Sequence, residues 1–272
     1  MSNFYGRTVL ITGAASGIGL LMGKLSLKRG AKRLVIWDID QDALQATGDE
    51  LLNAGYEVTT QVVDVRSIDQ IEQAHSELLN SHIHVDILIN NAGVIVGKAF
   101  AKHTIADINK TMEVNALALM YVTHTFLPDM QDRNSGHIVN IASAAGLTPN
   151  PGMTVYAASK WAAVGWSDSL RIELEKTHPR IKVLTVMPSY INTGMFEGVT
   201  PPLFVPLLDP EKISVKILDA IEKDKIQLKA PFMVKTSLIF RGLLPQRAFD
   251  FIAGKIFKVY SSMDNFKGRN HS

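Results

Sequence analysis

Cysteine is absent from this chain of 272 residues. Without it the protein has no disulfide bonds, no thiolate metal ligands and no cysteine nucleophile, and the composition suits a reducing cytoplasmic compartment. No uncharged apolar run reaches the roughly 20 residues that cross a bilayer. The polar start of the chain, residues 1–7, differs from a signal peptide. We therefore expect a cytoplasmic protein.

A strong charge of either sign is also missing. The formal net charge is only +2, from 28 Lys and Arg against 26 Asp and Glu, and no nucleic-acid-binding motif is present. Among eight histidines, His82 and His84 lie close together in sequence, but they have no carboxylate or thiol partner at ligand spacing. We therefore expect no nucleic-acid partner and no bound metal.

What the chain does contain is an alternation of strand-like and helix-like runs. The strand-like runs are short and rich in β-branched residues, as in buried parallel strands. They lie at 8–12, 33–37, 58–63, 85–89, 137–142, 182–187 and 226–228. Helical patterns follow them, ending at 28 and then covering 41–53, 68–79, 105–130, 156–175 and 210–222. With no internal repeat and no linker, the pattern predicts one α/β domain over residues 1–272 with a mostly parallel sheet.

The first strand ends in a glycine-rich turn, Gly13-x3-Gly17-x-Gly19. Strand, glycine-rich turn and helix together are the context of a nucleotide-phosphate site. Glycine lets the backbone approach a pyrophosphate, and free N–H groups at a helix start attract anions. The spacing differs from the GxGxxG fingerprint, so a purely structural turn is the alternative.

An acidic residue, Asp38, ends the second predicted strand, 19 residues after Gly19. A carboxylate at about this distance hydrogen-bonds the adenosine ribose hydroxyls and repels a 2′-phosphate. No Lys or Arg follows directly to bind such a phosphate, so NAD(H) is favoured over NADP(H). The alternative is that Asp38 caps the next helix, although Asp40 is better placed to do so.

Polar residues also follow later strands, at the edge where open parallel sheets bind ligands. Asn90-Asn91-Ala92-Gly93 ends the fourth strand and Ser143 ends the fifth. Asn115 lies in the middle of the predicted helix 105–130. Asparagine is a mediocre helix former, so its amide either bonds locally or interrupts the helix to hold a water.

Tyr156 and Lys160 lie one turn apart on the helix that follows the fifth strand. Of six tyrosines, only Tyr156 has a lysine four residues on, a spacing that puts both side chains on one face. A nearby ammonium favours the phenolate. We expect Lys160 to lower the pKa of Tyr156 from about 10 and so make the phenol a proton carrier near neutrality. A chance pairing on an ordinary helix is the alternative.

Two apolar segments suggest how a substrate is enclosed. A proline-rich segment at about 193–210 is expected to be a lid whose closure buries hydrophobic surface, which favours a bulky hydrophobic alcohol or ketone. Its apolar residues are Met195, Phe196, Leu203, Phe204, Val205, Leu207 and Leu208. Packing of these residues on the protein alone is the alternative.

The C-terminal extension, at about 229–272, is apolar and basic. We expect Pro245 to open a helix in which Phe249, Ile252 and Ile256 line one face. Two uses remain open for that face. It either packs over the substrate cleft or a neighbouring subunit, or makes a weak peripheral contact with a membrane.

Together these motifs resemble the short-chain dehydrogenase/reductase family. The residues that carry the resemblance run in family order over most of residues 5–230: Thr12 through Gly19, Asn90 through Gly93, Asn115, Ser143, Tyr156 and Lys160. Residues 35–39, 126–130, 136–139 and 192–194 are similar to the 17-beta-hydroxysteroid and retinol dehydrogenase branch, and the tail 262–269 is similar to related retinal reductases. Two departures are Pro188-Ser189, where many members have Pro-Gly, and the lack of the N-terminal hydrophobic anchor of animal members.

The resemblance implies a single-domain, doubly wound Rossmann fold with a seven-stranded sheet and helices on both faces. Tyr156 would be the general acid/base, Lys160 would assist it and bind the nicotinamide ribose, and Ser143 would bind the substrate oxygen. Asn115 would hold a water that links Lys160 to solvent. Asp64 would bond the adenine, Asn91 and Gly93 would line the adenosine side, and Thr193 would meet the carboxamide or phosphate. The implied cofactor-binding set is Gly13, Ser16, Gly17, Ile18, Gly19, Asp38, Asp64, Val65, Asn91, Ala92, Gly93, Tyr156, Lys160, Pro188, Ile191 and Thr193.

The expected activity is NAD(H)-dependent interconversion of a bulky hydrophobic alcohol, primary or secondary, and its aldehyde or ketone. The substrate would be of the retinoid, steroid or long-chain type. A reductase of 3-oxoacyl thioesters is one alternative, and a non-catalytic NAD-sensing protein is another. Family members associate through the long helices beside the active site, and Trp161 and Trp166 make a homodimer or homotetramer the expectation here.

Overall fold

The computed structural model describes residues 3–268, apart from the side chains of Ser237 and Leu238. Arg269, the last residue of the tail compared above, lies outside this range. Seven strands within the described residues form one sheet in the order β3-β2-β1-β4-β5-β6-β7. The strands are β1 Thr8–Thr12, β2 Arg33–Asp38, β3 Glu57–Val62, β4 Ile87–Asn90, β5 Gly136–Ile141, β6 Ile181–Pro188 and β7 Gln227–Ala230. Every neighbouring pair is parallel, so the predicted seven-stranded parallel sheet is confirmed.

Helices connect the strands and cover both faces of the sheet. They are α1 Gly17–Lys28, α2 Gln41–Asn53, α3 Ile68–Asn80, α4 Ile105–Met112, α5 Ala118–Asp132, α6 Thr154–Thr177, α7 Pro210–Glu222, α8 Phe232–Leu243 and α9 Gln246–Phe251. The side chains of β1 show how the two layers arise. Val9 and Ile11 pack with α1, α2 and α7, whereas Leu10 between them packs with α3, α5 and α6, because successive strand residues point to opposite faces.

The strand order reverses direction between β1 and β4. From β1 the chain first builds outward through β2 and β3, and it then returns to place β4 on the other side of β1. A crevice opens at the carboxyl ends of the strands at such a switch point, and open α/β sheets bind ligands there. The predicted glycine-rich turn follows β1 and therefore lies at this crevice.

The predicted helix 105–130 is divided in the structure. A π-helical turn, Glu113–Leu117, separates α4 from α5 and carries Asn115. π turns within helices are frequent at functional sites because the wider turn redirects its side chains. Of the two alternatives for Asn115, the interruption of the helix is therefore present, whereas the water that it was expected to hold stays a prediction.

The C-terminal extension folds into two helices, of which only the second was predicted. Pro245 caps α9 as expected, and a π turn, Ile252–Ile256, follows it. The predicted apolar face is partly wrong, because Phe249 is buried whereas Ile256 is half exposed. Helix α8 was missed because it lies beyond the strand–helix alternation from which α1 to α7 were predicted. Among the helices within residues 3–268, none is long and apolar enough to cross a membrane.

Candidate active site

The glycine-rich turn between β1 and α1 forms the floor of a cleft of about 560 Å³. Gly13 and Gly17 have φ angles of 64° and 60°, a left-handed conformation that favours glycine. A side chain at Gly17 would project into open space, and one at Gly13 would come within 2.9 Å of the Ala92 backbone. Ser16 precedes α1 without capping it through its side chain, so the start of the helix keeps donors for an anion.

Gly19 packs tightly against the glycine-rich turn. It does not belong to the cleft lining, and a side chain there would collide with the Gly13 carbonyl oxygen and the Asn91 amide. That amide donates to the carbonyl oxygens of Thr12 and Gly13, at 2.9 Å each. Gly19 therefore lets α1 pack against the turn, and its expected contact with the cofactor stays a prediction.

Asp38 lines the cleft and links the glycine-rich turn to the start of α2 through hydrogen bonds. One carboxylate oxygen accepts a hydrogen bond from the Ala15 amide at 2.9 Å, and the other accepts one from the Asp40 amide at 3.1 Å. Asp40 caps α2 by accepting from the Ala43 amide at 3.0 Å. The helix-capping alternative for Asp38 is therefore wrong, because Asp40 has that role.

Asp64 lies at the outer end of the cleft, but its carboxylate is already engaged. Arg66 donates to both Asp64 oxygens, and this bond holds the pKa of Asp64 below its usual range. Arg66 and Lys110 also line the cleft, although sequence position gave no reason to include them. The expected contact residues found in the lining are Gly13, Ser16, Gly17, Ile18, Asp38, Asp64, Val65, Asn91, Ala92, Gly93, Tyr156, Lys160, Pro188, Ile191 and Thr193.

Ser143, Tyr156 and Lys160 meet at the inner end of this cleft. Ser143 follows β5, and its hydroxyl accepts from the Ala145 amide at 3.1 Å. Tyr156 and Lys160 lie on the first turns of α6. The Lys160 amine donates to the Ile141 carbonyl at 2.9 Å and lies 5.8 Å from the centre of the Tyr156 ring. The expected juxtaposition of the three side chains is therefore present.

The expected pKa shift of Tyr156 is wrong in direction for the chain alone. Burial raises the pKa of Tyr156 to about 12, and a hydrogen bond from Ser143 opposes this only in part. Burial also lowers the pKa of Lys160 to about 8. A low-dielectric site disfavours both charged forms. The phenol is therefore protonated at neutral pH and is arranged as an acid.

Asn115 stands behind the cleft instead of lining it. Its amide oxygen accepts from the Val94 amide at 2.8 Å, and its amide nitrogen donates to the Val94 carbonyl, also at 2.8 Å. A side chain built on Gly93 would lie 3.4 Å from the Asn115 oxygen and 3.7 Å from the Lys160 amine. Asn115 thus holds the loop that faces Lys160, and both of its amide atoms bond to protein.

A second, apolar cavity of about 130 Å³ joins the inner end of the cleft. Ser143, Tyr156, Ser189 and Phe196 line both spaces. Helices α8 and α9 and the turn after them cover the apolar cavity with Met233, Val234, Phe240, Phe249, Ile252, Ala253 and Phe257. The extension therefore lies over this cavity. Sequence analysis missed Asn150 and Tyr190, whose only signal was their position just before α6 and just after β6.

The expected lid contributes to the cavity through only some of its residues. Phe196 packs edge-on against Tyr156 and Tyr190, with ring centres 6.4 and 5.3 Å apart, and Val205 lines the cavity. By contrast, Leu203, Phe204 and Leu207 are exposed. The segment is bound to the extension, since the Leu203 amide donates to the Phe257 carbonyl at 2.9 Å.

A doubly wound sheet with a glycine-lined crevice at its switch point defines a dinucleotide-binding α/β protein. A tyrosine, a lysine and a serine at the inner end of that crevice narrow the class to oxidoreductases. Residues 7–202 match the family described as short chain dehydrogenase, and the chain belongs to this family. It is a short-chain oxidoreductase of the branch that contains retinol and steroid dehydrogenases.

Named relatives cover almost the whole chain. Epidermal retinol dehydrogenase 2 of Mus musculus is 35% identical over 98% of this chain and 87% of its own length. Estradiol 17-beta-dehydrogenase 11 of Macaca fascicularis is 33% identical over 96% of this chain and 87% of its own length.

Solved structures of the family share the fold. A short-chain dehydrogenase/reductase from Burkholderia phymatum in complex with NAD has a TM-score of 0.81 at 26% identity, covering 89% of this chain and 95% of its own. A short-chain dehydrogenase from Burkholderia cenocepacia in complex with NADP has a TM-score of 0.77 at 25% identity, covering 93% and 98%. The family therefore binds NAD or NADP in this fold.

Proposed function

We propose that this protein interconverts a bulky hydrophobic alcohol, primary or secondary, and its aldehyde or ketone with NAD(H). One observation carries the proposal. Ser143 and Tyr156 lie where the glycine-lined cleft opens into the apolar cavity, so one side can hold a dinucleotide while the other holds a hydrophobic substrate. A reacting carbon at that junction meets both.

Different residues of the chain would bind different parts of the cofactor. The turn at Gly13 and Gly17 suits the pyrophosphate, and Asp38 suits the adenosine ribose, where its charge disfavours a 2′-phosphate. Pro188, Ile191 and Thr193 would border the nicotinamide end of the cleft. When bound, the nicotinamide supplies or accepts the hydride, and the protein orients it against the substrate.

Proton transfer falls to Tyr156. Its phenol is protonated near neutrality, as an unperturbed tyrosine also is, and burial raises its pKa further, to about 12. In the reducing direction it would donate that proton to the carbonyl oxygen. Ser143, hydrogen-bonded to the same phenol, would hold that oxygen and stabilise the charge that develops on it. Lys160 would bind the ribose hydroxyls and relay protons outward, and Asn115 would hold the Gly93 to Val94 loop against it.

The apolar cavity favours a lipophilic substrate. Most of the side chains that line it are aromatic or aliphatic, and burying apolar surface there stabilises the complex by about 25 cal/mol per Å². The names of the relatives, retinol dehydrogenase and estradiol dehydrogenase, support retinoid, steroid or long-chain substrates for this chain as well.

The test is turnover of a panel of lipophilic alcohols and carbonyls with NAD(H), by the wild type and by Tyr156→Phe. We expect the variant to lose about 10²-fold or more of kcat, because it removes the proton donor, while its affinity for NADH is unchanged. Tyr5→Phe is the matched control, since Tyr5 is 81% exposed and lines neither the cleft nor the apolar cavity. Inactivity of the wild type on the whole panel, or full activity of Tyr156→Phe, would refute the proposal.

We also propose a cytoplasmic, peripherally membrane-bound homo-oligomer. The exposed side of the extension carries Phe232, Leu243 and Phe251, at 71%, 77% and 61% exposure, beside Lys235, Arg247, Lys255 and Lys258. Such a surface suits weak binding to anionic lipid. Sedimentation with anionic vesicles tests this contact, and light scattering tests the oligomeric state.

A further inference from the structure

The described part of the C-terminal tail, residues 262–268, packs against two loops at the inner end of the cleft. The loop after β4 contributes Gly93 and Val94 to the cleft lining, and the loop after β6 contributes Thr193 and Phe196. None of these tail residues lines the cleft or the apolar cavity itself. The tail can therefore act on the site only through the loops that it contacts.

Backbone hydrogen bonds fasten the tail to the loop after β6. The Lys267 amide donates to the Glu197 carbonyl at 2.9 Å. In the other direction, the Thr200 amide of the loop donates to the Ser262 carbonyl at 2.9 Å. A side chain on Gly198, which lies between the two bonded loop residues, would overlap the backbone of the tail. The backbones of the loop and the tail are therefore in direct contact.

Phe266 joins the tail to the other loop, the one after β4. A methyl group on Gly97 of that loop would overlap the Phe266 ring and come within 2.8 Å of the Met263 Cε atom. Gly97 is not among the glycines with a positive φ angle. The side chains of the tail, and not the local backbone conformation, therefore require glycine at this position. The tail thus bridges the two loops.

The same tail side chains belong to the packing around Tyr156. Met263 is 8% exposed and forms one buried cluster with Tyr156 and Val199, against which Phe196 and Phe266 also pack. Phe196 in turn lies edge-on to the Tyr156 ring, with the ring centres 6.4 Å apart. The loop after β6 is thus held at Phe196 by the cluster and at its backbone by the tail.

We propose that the tail holds the loop after β6 in the conformation that binds the nicotinamide half of the cofactor, with Phe266 as the positioning residue. A loop that is ordered before binding loses less freedom when the ligand binds, so the affinity is higher. The residues that suit the adenosine diphosphate half, Gly13, Gly17 and Asp38, lie on other elements. This inference rests on the proposed function, because it assumes that the nicotinamide lies at the Thr193 end of the cleft.

The experiment measures the Kd values of NADH and ADP by calorimetry. NADH would occupy both ends of the cleft, whereas ADP would occupy only the end formed by the glycine-rich turn and Asp38. We expect Phe266→Ala to raise the Kd of NADH about tenfold, as when only about one molecule in ten has the competent loop conformation. The Kd of ADP should stay within about twofold of the wild-type value.

A second variant displaces the tail without changing its sequence. Gly97→Ala puts a methyl group where the Phe266 ring lies, so it should also weaken NADH and leave ADP unchanged. In the double variant Gly97→Ala/Phe266→Ala the ring is absent, and the Kd of NADH should be no higher than in Phe266→Ala alone. Effects that multiply in the double variant would mean that the two residues act separately, and would overturn the role of their contact.

Two matched controls should bind both ligands as the wild type does. Asp264→Ala changes an exposed residue of the tail, and Gly165→Ala adds a methyl group that meets nothing within 4 Å. Wild-type NADH affinity in both Phe266→Ala and Gly97→Ala, or equal weakening of NADH and ADP in both, would overturn the proposal. No step requires turnover, so inactivity on every alcohol and carbonyl would count against the proposed function alone.

Discussion

Asn115 and Val94 exchange two hydrogen bonds of 2.8 Å each. The side-chain amide of Asn115 pairs with the backbone N–H and C=O of Val94, as a residue of a neighbouring strand would. The π turn makes this possible because it turns Asn115 out of the regular helical register. The loop held in this way begins at Gly93, which stands between Asn115 and the Lys160 amine. A residue buried behind the cleft thus shapes its inner wall.

Replacing Asn115 with Leu should damage both stability and activity. The variant leaves the Val94 amide and carbonyl without partners, so we expect a loss of about 2 kcal/mol in the free energy of unfolding and a fall of at least about tenfold in kcat. Asn115→Asp keeps the bond from the Val94 amide and should be intermediate. Asn109→Leu on the exposed side of α4 is the control. Denaturant unfolding that does not distinguish Asn115→Leu from this control would contradict the role of the loop contact.

Asp38→Asn should change cofactor preference while keeping the turn intact. Asparagine still offers an oxygen to the Ala15 amide but lacks the negative charge that repels a 2′-phosphate. We expect the ratio of NADPH to NADH affinity to rise at least about tenfold, about 1.4 kcal/mol, as measured by fluorescence titration. Asp38→Ser should also weaken NADH, because its shorter side chain leaves the Ala15 amide unpaired. An unchanged ratio in Asp38→Asn would refute the assignment.

The ionisation of Tyr156 can be followed directly in the cofactor-free protein. With its pKa raised to about 12 by burial, only about one molecule in a hundred carries the phenolate at about pH 10. The ultraviolet difference between wild type and Tyr156→Phe should therefore show no phenolate signal up to that pH, with circular dichroism confirming that both remain folded. A signal that appears between about pH 7 and 9 would mean that the Lys160 charge outweighs burial.

Two glycines in helices should respond oppositely to alanine. At Gly19 the added methyl group would collide with the Gly13 carbonyl oxygen, and we expect a loss of about 1–3 kcal/mol together with weaker NADH binding. At Gly165, within α6, the methyl group meets nothing within 4 Å, and alanine should stabilise the helix by about 0.5–1 kcal/mol. Thermal unfolding of both variants measures the difference, and a stable Gly19→Ala would refute the packing role.

Much of the fold follows from local patterns. The short β-branched runs predicted every strand to within two residues of its observed ends, because a buried parallel strand needs apolar side chains on both faces. Parallel strands bring their carboxyl ends to one edge of the sheet, so the residues after β1, β2, β4, β5 and β6 were expected to meet, and they line one cleft. Helix α8 was missed because it lies beyond the strand–helix alternation from which α1 to α7 were predicted.

Sequence alone determined the parallel sheet, the glycine turn and the side chains that gather at its edge, since these depend on local pattern and on the direction of the strands. Tertiary structure decided how those side chains behave. Burial, which no local spacing reports, raises the pKa of Tyr156 instead of lowering it. Packing places Gly19 and Asn115 behind the cleft lining, where Gly19 packs against the glycine-rich turn and Asn115 holds the loop at Val94. Hydrogen bonds also join Asn150 to Tyr190 and Tyr190 to Ser262, residues that are distant in sequence and come together only when the extension covers the cavity.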